Sequence, residues 1–426
     1  MTTFPDAFLW GAATAPHQIE GNNLNSDWWA REGMMPGMEP SGDAVDSYHR
    51  YREDMRLLAD AGLNAYRFGV EWARIEPRPG QFSNAELAHY RRMIETAFEF
   101  GLTPVVTLHH FTCPAWFAQE GGWMSPTATE RFVAYVTKVV EILDGVEWVV
   151  TINEPNMLAM MTMLQEAMRS GQLSQWQSPT IDGEAERERI AANLPVATEE
   201  FSRPFIAAHH AVRDLIRERT GAKVGWSVAN GALEPTPGDE EKFAEVQRLQ
   251  ENLYLEAARG DDFIGVQSYS SQRVDANGLV PHPEHPDNTL TGAAYRPDAL
   301  GIAVRHATAV TGAPALVTEN GIATADDERR IAYTQTALAH LAGAIADGVD
   351  VRGYLHWSLL DNYEWGHWDP TFGLIAVDRE TFVRTPKPSL AWLGSVGSSN
   401  GATIEPAGPD DAASAASDLA DLGTTR

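Results

Sequence analysis

Apolar and β-branched residues recur along this chain in eight short runs. They are FLWGAAT (8–14), AYRFGVEW (65–72), PVVTLHH (104–110), WVVTINE (148–154), KVGWSVAN (223–230), FIGVQSYS (263–270), ALVTENG (315–321) and GYLHWSLLD (353–361). Each is almost continuously apolar, as expected of a strand buried on both faces. Stretches of a different period lie between most of them. DSYHRYREDMRLLADAG (46–62) and NAELAHYRRMIETAFEFG (84–101) place apolar residues three and four apart and finish on glycine, a common helix stop. Buried strands alternating with amphipathic helices predict a parallel sheet covered by helices. Eight such units over about 390 residues fit a single (β/α)8 barrel of the α/β class better than an open sheet, with loop insertions at the C-terminal face of the strands. No glycine-rich phosphate loop follows the first run, which argues against a dinucleotide-binding fold. The expected catalytic domain is residues 1–395. Residues 396–426 read as a low-complexity acidic tail, rich in Ala, Ser and Asp and expected to be partly disordered.

Barrels of this kind carry their chemistry where the strands end. Two of the runs end in a carboxylate: Asn153 and Glu154 close the fourth before Pro155 stops it, and Glu319 and Asn320 close the seventh. One such end is as readily a structural hydrogen bond as a functional group. Two suggest a pair of carboxylates facing one site. The remaining ends contribute Gln18, Arg67, His109, His110, Phe111, Gln267, Tyr269, Trp357, Glu364 and Trp365. Hydrogen-bonding groups mixed with indoles suit a polyhydroxylated ligand with apolar ring faces.

Composition narrows the partners. There are 59 acidic and 32 basic side chains, a net charge of −27. Nucleic acid and anionic membrane surfaces are not expected to bind such a chain. The single cysteine, Cys113, excludes an intramolecular disulfide and fits a reducing compartment. MTTFPDAFLWG has no basic segment followed by a long apolar one, and no run approaches the ~18 apolar residues of a membrane span. A cytoplasmic protein is expected.

Several long motifs, in order, resemble glycoside hydrolase family 1, the retaining β-glycosidases: FPDAFLWGAATAPHQIEG, YRFGVEWARIEPRPG, TLHHFTCPAWF, TINEP, TENG, GYLHWSLLDNYEW and the closing FGLIAVD…TPKPS. They extend from about Phe4 to Ser389. The resemblance implies that Glu154 is the acid/base and Glu319 the nucleophile. It implies that Arg67 and Tyr269 hold the nucleophile, and that Gln18, His110, Asn153, Glu364 and Trp365 bind the sugar hydroxyls above a Trp357 platform. Phe111 stands where many members have tryptophan. The carboxylate of Glu364 implies an unphosphorylated sugar. No cofactor and no metal are expected. The implied substrate is a small-molecule β-glycoside: a β-glucoside, with β-galactosides and β-fucosides as further candidates. Oligomeric state is not readable.

Two stretches depart from the family pattern: VQSYS before the site tyrosine, where Asn-Tyr is usual, and GHWDPT after Trp365. Of the twelve methionines, five lie between Met157 and Met168, and Met34, Met35 and Met38 follow the first strand. Thioethers pack helices and also adapt to varied ligands. Phe111, Met157, Met160 and Met161 are therefore candidates for the aglycone side. Three rival chemistries fit a chain of this class. A Schiff-base enzyme needs a lysine at a strand end, and none of Lys138, Lys223, Lys242 and Lys387 is so placed. A metal-dependent hydrolase wants spaced histidines at the first strand; adjacent His109 and His110 point apart, and HPEH (282–285) falls in a Pro-rich loop. The last rival is a sugar-binding barrel with lost or minor catalysis.

Overall fold

The structure, a computed structural model, describes residues 4–32, 37–170 and 196–407. All eight apolar runs form strands: β1 (Leu9–Ala13), β2 (Ala65–Gly69), β3 (Thr103–Thr107), β4 (Trp148–Asn153), β5 (Lys223–Ala229), β6 (Ile264–Gln267), β7 (Ala315–Asn320) and β8 (Val351–Trp357). They close a parallel barrel in sequence order, with β1 joining β8 on one side and β2 on the other. The two stretches of helical period become helices Ser47–Asp60 and Asn84–Glu99. Ser83 caps the second, its hydroxyl accepting from the Glu86 amide. Two small sheets, one of three and one of two short strands, were not legible as strands in the sequence.

Side-chain alternation divides the apolar residues into two cores. Trp10, Ala12, Val106, Val149 and Val317 face outward into the layer between strands and helices. Leu9, Ala65, Val105, Trp148, Val150, Phe263, Leu316 and Leu355 form a smaller inner cluster. Trp148 and Phe263 meet edge to face there, with centroids 5.2 Å apart. A barrel of this size is packed inside, so only its C-terminal mouth is left for a ligand.

Three strand pairings lose regular register near that mouth: β4 with β5 between Val150 and Asn153, and β7 with β6 and β8 after Val317. The irregularities reverse the alternation. Val149 and Ile152, three residues apart, both face outward, and Asn153 turns into the barrel to meet Arg67. On β7, Leu316 is inward, Val317 outward, and Glu319 is the residue that reaches Arg67 inside. Bulges of this kind re-aim side chains beside functional sites.

The packed body continues beyond residue 395. Val396 and Ile404 are buried. The Asn400 side chain accepts from Trp10 Nε1 at 3.0 Å and donates to the carbonyl of Phe4 at 2.9 Å. Residues 408–426 of the expected tail lie outside the described residues. Among the described residues, no helix is long and apolar enough to cross a membrane. Asn400→Ala leaves an indole N–H and a carbonyl near the start of β1 without their partner. We expect it to lower stability by about 1–3 kcal/mol, read as an earlier thermal or urea transition. An unchanged transition would show that this segment does not hold the barrel closed.

Candidate active site

Glu154 follows β4 in left-handed backbone, φ 45° and ψ 60°, and Pro155 opens the helix Pro155–Arg169. Proline suits a first helical position because its missing N–H has no partner to lose there. The turn costs a non-glycine residue on the order of 1–3 kcal/mol. It is pinned by the Glu154 amide, which donates to the Ser227 carbonyl of β5 at 2.7 Å. The strand thus ends in a carboxylate because the chain turns there, and the turn leaves that side chain at the mouth.

Arg67 joins the strands around the mouth. Its guanidinium is fully buried. Nη1 donates to Glu319 Oε1 at 2.5 Å and to the Thr318 carbonyl at 3.3 Å, Nη2 donates to Asn153 Oδ1, and Nε donates to Thr107 Oγ1 at 3.0 Å. Tyr269 donates its hydroxyl to Glu319 Oε2 at 2.7 Å. Gln267 Nε2 donates to Asn153 Oδ1 at 2.7 Å, and the Asn153 amide nitrogen lies 3.2 Å from His110 Nε2. The departure from the family pattern at Gln267 therefore joins the network.

Burial dominates the electrostatics. It pushes the Glu154 carboxyl up to about 8, helped by the charge of Glu319 and opposed by Arg67. Burial also raises Glu319, but Arg67 and the Tyr269 hydroxyl pull it back. Only Glu319 is bonded directly to a cation, so Glu319 ionises first and Glu154 keeps the proton. Burial likewise pushes Glu364 up to about 8, although it accepts from Trp357 Nε1 at 3.2 Å. His110 is held well below its ordinary range by burial and by Arg67, so it is neutral.

These groups surround one cavity of about 410 Å³. Of the expected residues, Gln18, His110, Phe111, Glu154, Met157, Met161, Tyr269, Glu319, Trp357, Glu364 and Trp365 line it. Asn153 and Arg67 are fully buried and act from behind this wall. Met160, expected on the aglycone side, packs instead into the outer core. Met157 and Met161 are one turn apart on the same helix face, and Met160 falls beside it. Met34 and Met35 lie outside the described residues. The wall also includes Trp28, Thr289, Thr291, Ala293, Ile322, Ala323 and Phe372, which sequence reasoning missed. The paired indoles of SDWWAR were the one signal that pointed to Trp28; the threonine loop offers no motif. Gly321 passes so near β8 that a Cβ would sit 2.1 Å from the Trp357 carbonyl oxygen. None of the four lysines is on the wall. Among the described residues no group of three or more His, Cys, Asp or Glu is disposed to hold a metal. His109 lies apart from His110, with Nε2 3.2 Å from Cys113 Sγ.

Trp365 is held from behind. The His17 ring lies parallel to it, at 6° and 5.8 Å between centroids. His17 Nε2 is 2.9 Å from Glu32 Oε1, and Glu32 Oε2 accepts from the amide and hydroxyl of Ser41. Trp28 and Phe111 meet Trp365 edge-on.

A family model described as Glycosyl hydrolase family 1 matches residues 1–213 and 256–402. Beta-glucosidase A of Thermotoga maritima is 30% identical, over 93% of this chain and 98% of its own. The bifunctional beta-D-glucosidase/beta-D-fucosidase of Bifidobacterium breve is 29% identical, over 91% of this chain and 97% of its own. Among solved structures, beta-glycosidase BGL167 is 44% identical with a TM-score of 0.81, covering 95% of this chain and 98% of that one.

The backing of Trp365 can be taken apart by two substitutions. His17→Phe keeps a flat ring but removes the partner of Glu32. It is expected to lower the melting temperature while KM for an aryl β-glucoside stays within about two-fold, because the stacked face survives. His17→Ala removes both and is expected to raise KM about two- to ten-fold. Equal KM values for the two variants would show that the stack does not position Trp365.

Proposed function

The chain belongs to glycosyl hydrolase family 1, and from that premise we propose that it is a retaining exo-β-glycosidase acting on unphosphorylated β-glucosides, with β-galactosides and β-fucosides as further candidates. The observation that carries this reading is the unequal environment of two carboxyls on one cavity. Glu319 is bonded to Arg67 and Tyr269. Glu154 is acted on by burial, the Glu319 charge and the more distant Arg67.

Double displacement needs that inequality. Ionised Glu319 attacks the anomeric carbon while Glu154 donates its proton to the departing oxygen. A glycosyl ester forms on Glu319 as the glycosidic bond breaks. Glu154, now a carboxylate, takes a proton from water. The water oxygen bonds the anomeric carbon, the ester bond breaks, and the sugar leaves with its β configuration retained. Arg67 and Tyr269 fix the direction of attack and keep Glu319 charged before it.

The inner end of the cavity supports a single terminal sugar. Gln18, Trp357, Glu364 and Trp365 are on its wall. Gln18 Oε1 and His110 Nδ1 are buried polar atoms without a partner among the described residues. Buried polar atoms ordinarily find one, and sugar hydroxyls would supply it. No lysine or arginine lines the cavity among the described residues. A sugar phosphate dianion would find no cation there, which supports a free sugar.

Glu319→Ala is expected to abolish turnover of every β-glucoside. Glu154→Ala is expected to lose about 10²–10⁴-fold on substrates with poor leaving groups and much less on activated aryl glucosides, which need little protonation. Equal losses across leaving groups in both variants would contradict the assignment, as would an initial product of inverted configuration by NMR. A sugar-binding barrel without catalysis would show no turnover to lose.

The pH dependence follows from the same inequality. Activity should fall as pH rises through about 8, because Glu154 then enters the reaction without its proton. It should also fall at low pH, where Glu319 is protonated and cannot attack. The kcat/KM profile on a glucoside with a poor leaving group is therefore bell-shaped, and Glu154→Gln should remove the basic limb from the activity that remains. A basic limb that persists in that variant would belong to another group.

A further inference from the structure

We propose that the leaving-group end of this cavity is built for an alkyl or aryl aglycone and not for a second sugar; the proposal rests on the glycosidase reading above. The wall divides into two chemistries. Its charged and amide side chains are Gln18, Glu154, Glu319 and Glu364, all committed to the terminal sugar or to the reaction. On the helix that starts directly after Glu154, the wall is Met157 and Met161. It continues through Ile322 and Ala323, which follow the end of β7, and through Phe372, edge-on to Tyr269 at 5.9 Å. The only other hydrogen-bonding side chains of that stretch among the described residues are Thr289 and Thr291, whose hydroxyls bond each other at 2.9 Å.

The loop that carries this threonine pair is fixed in place. The Leu290 amide donates to the Ala323 carbonyl at 3.0 Å, which ties the loop to the segment after β7. A second sugar brings hydroxyls that must be desolvated on entry, and this wall offers little to replace their water. An alkyl chain or an aromatic ring loses nothing there, and thioethers accept either shape.

The test is a series of methyl, butyl and octyl β-D-glucosides alongside cellobiose and p-nitrophenyl β-D-glucoside. A sugar hydroxyl is a better leaving group than an alkanol, so chemistry alone favours cellobiose. We expect kcat/KM to climb with chain length by about two- to four-fold for each methylene that is buried, and octyl glucoside to exceed cellobiose by ten-fold or more. Met161→Gln, which places an amide on the wall, should flatten the chain-length slope. A flat slope in the unsubstituted protein, or cellobiose as the better substrate, would overturn this inference and leave the glycosidase reading standing. Inactivity toward p-nitrophenyl β-glucoside as well would overturn both.

Discussion

The guanidinium of Arg67 ties together the strands on which the site is built. A cation held wholly out of water is costly unless every N–H finds an acceptor. Here Nε, Nη1 and Nη2 find Thr107 on β3, Glu319 and the Thr318 carbonyl on β7, and Asn153 on β4. The same bonds that offset burial therefore set the distances among the strands that carry the two carboxyls. They also bias the charge. Glu319 receives the cation directly, while Glu154, on the next residue after Asn153, feels it only at a distance. One side chain supplies both the geometry and the difference in acidity.

Strand irregularity makes that arrangement possible. Strict alternation from Trp148 and Val150 would turn Ile152 into the barrel, and from Leu316 it would turn Thr318 inward. The register shifts after Val150 and after Val317 bring Asn153 and Glu319 to Arg67 instead. Ile152 joins the outer core, where an apolar side chain is stabilised by burial. The two faults in the sheet thus bring polar groups inward at its end while leaving the inner cluster below dry.

This explains which parts were legible in the sequence. The strands were, because burial on both faces leaves runs of apolar residues that no other element imitates as well. Glu154 and Glu319 were, because each interrupts such a run. The position of Asn153 behind the wall was not. It depends on a bulge, and a bulge is set by hydrogen bonds between strands that local sequence does not display. Met160 was misplaced for a simpler reason: a cluster of methionines on a helix covers more than one face, and composition does not say which is wet. The Thr289–Ala293 wall comes from an insertion with no period at all. Asn400 looked like the start of a tail because Gly and Ser surround it, yet its amide bonds the beginning of β1 from almost the other end of the chain.

The aromatic wall and the acid pair depend on each other. The Trp357 and Trp365 rings each lie nearly parallel to His110, within 22° and 6.2 Å of it. His110 can stack among indoles only as the neutral ring, since a buried imidazolium would meet the Arg67 cation. Neutral rings in turn exclude water from the carboxyls, which is what raises Glu154 far enough to hold a proton near neutrality. If the wall were more polar, Glu154 would ionise with Glu319 and the protonated member of the pair would be lost. The apolar surroundings thus offer a flat face to a ring and also hold the two carboxyls in different states of charge.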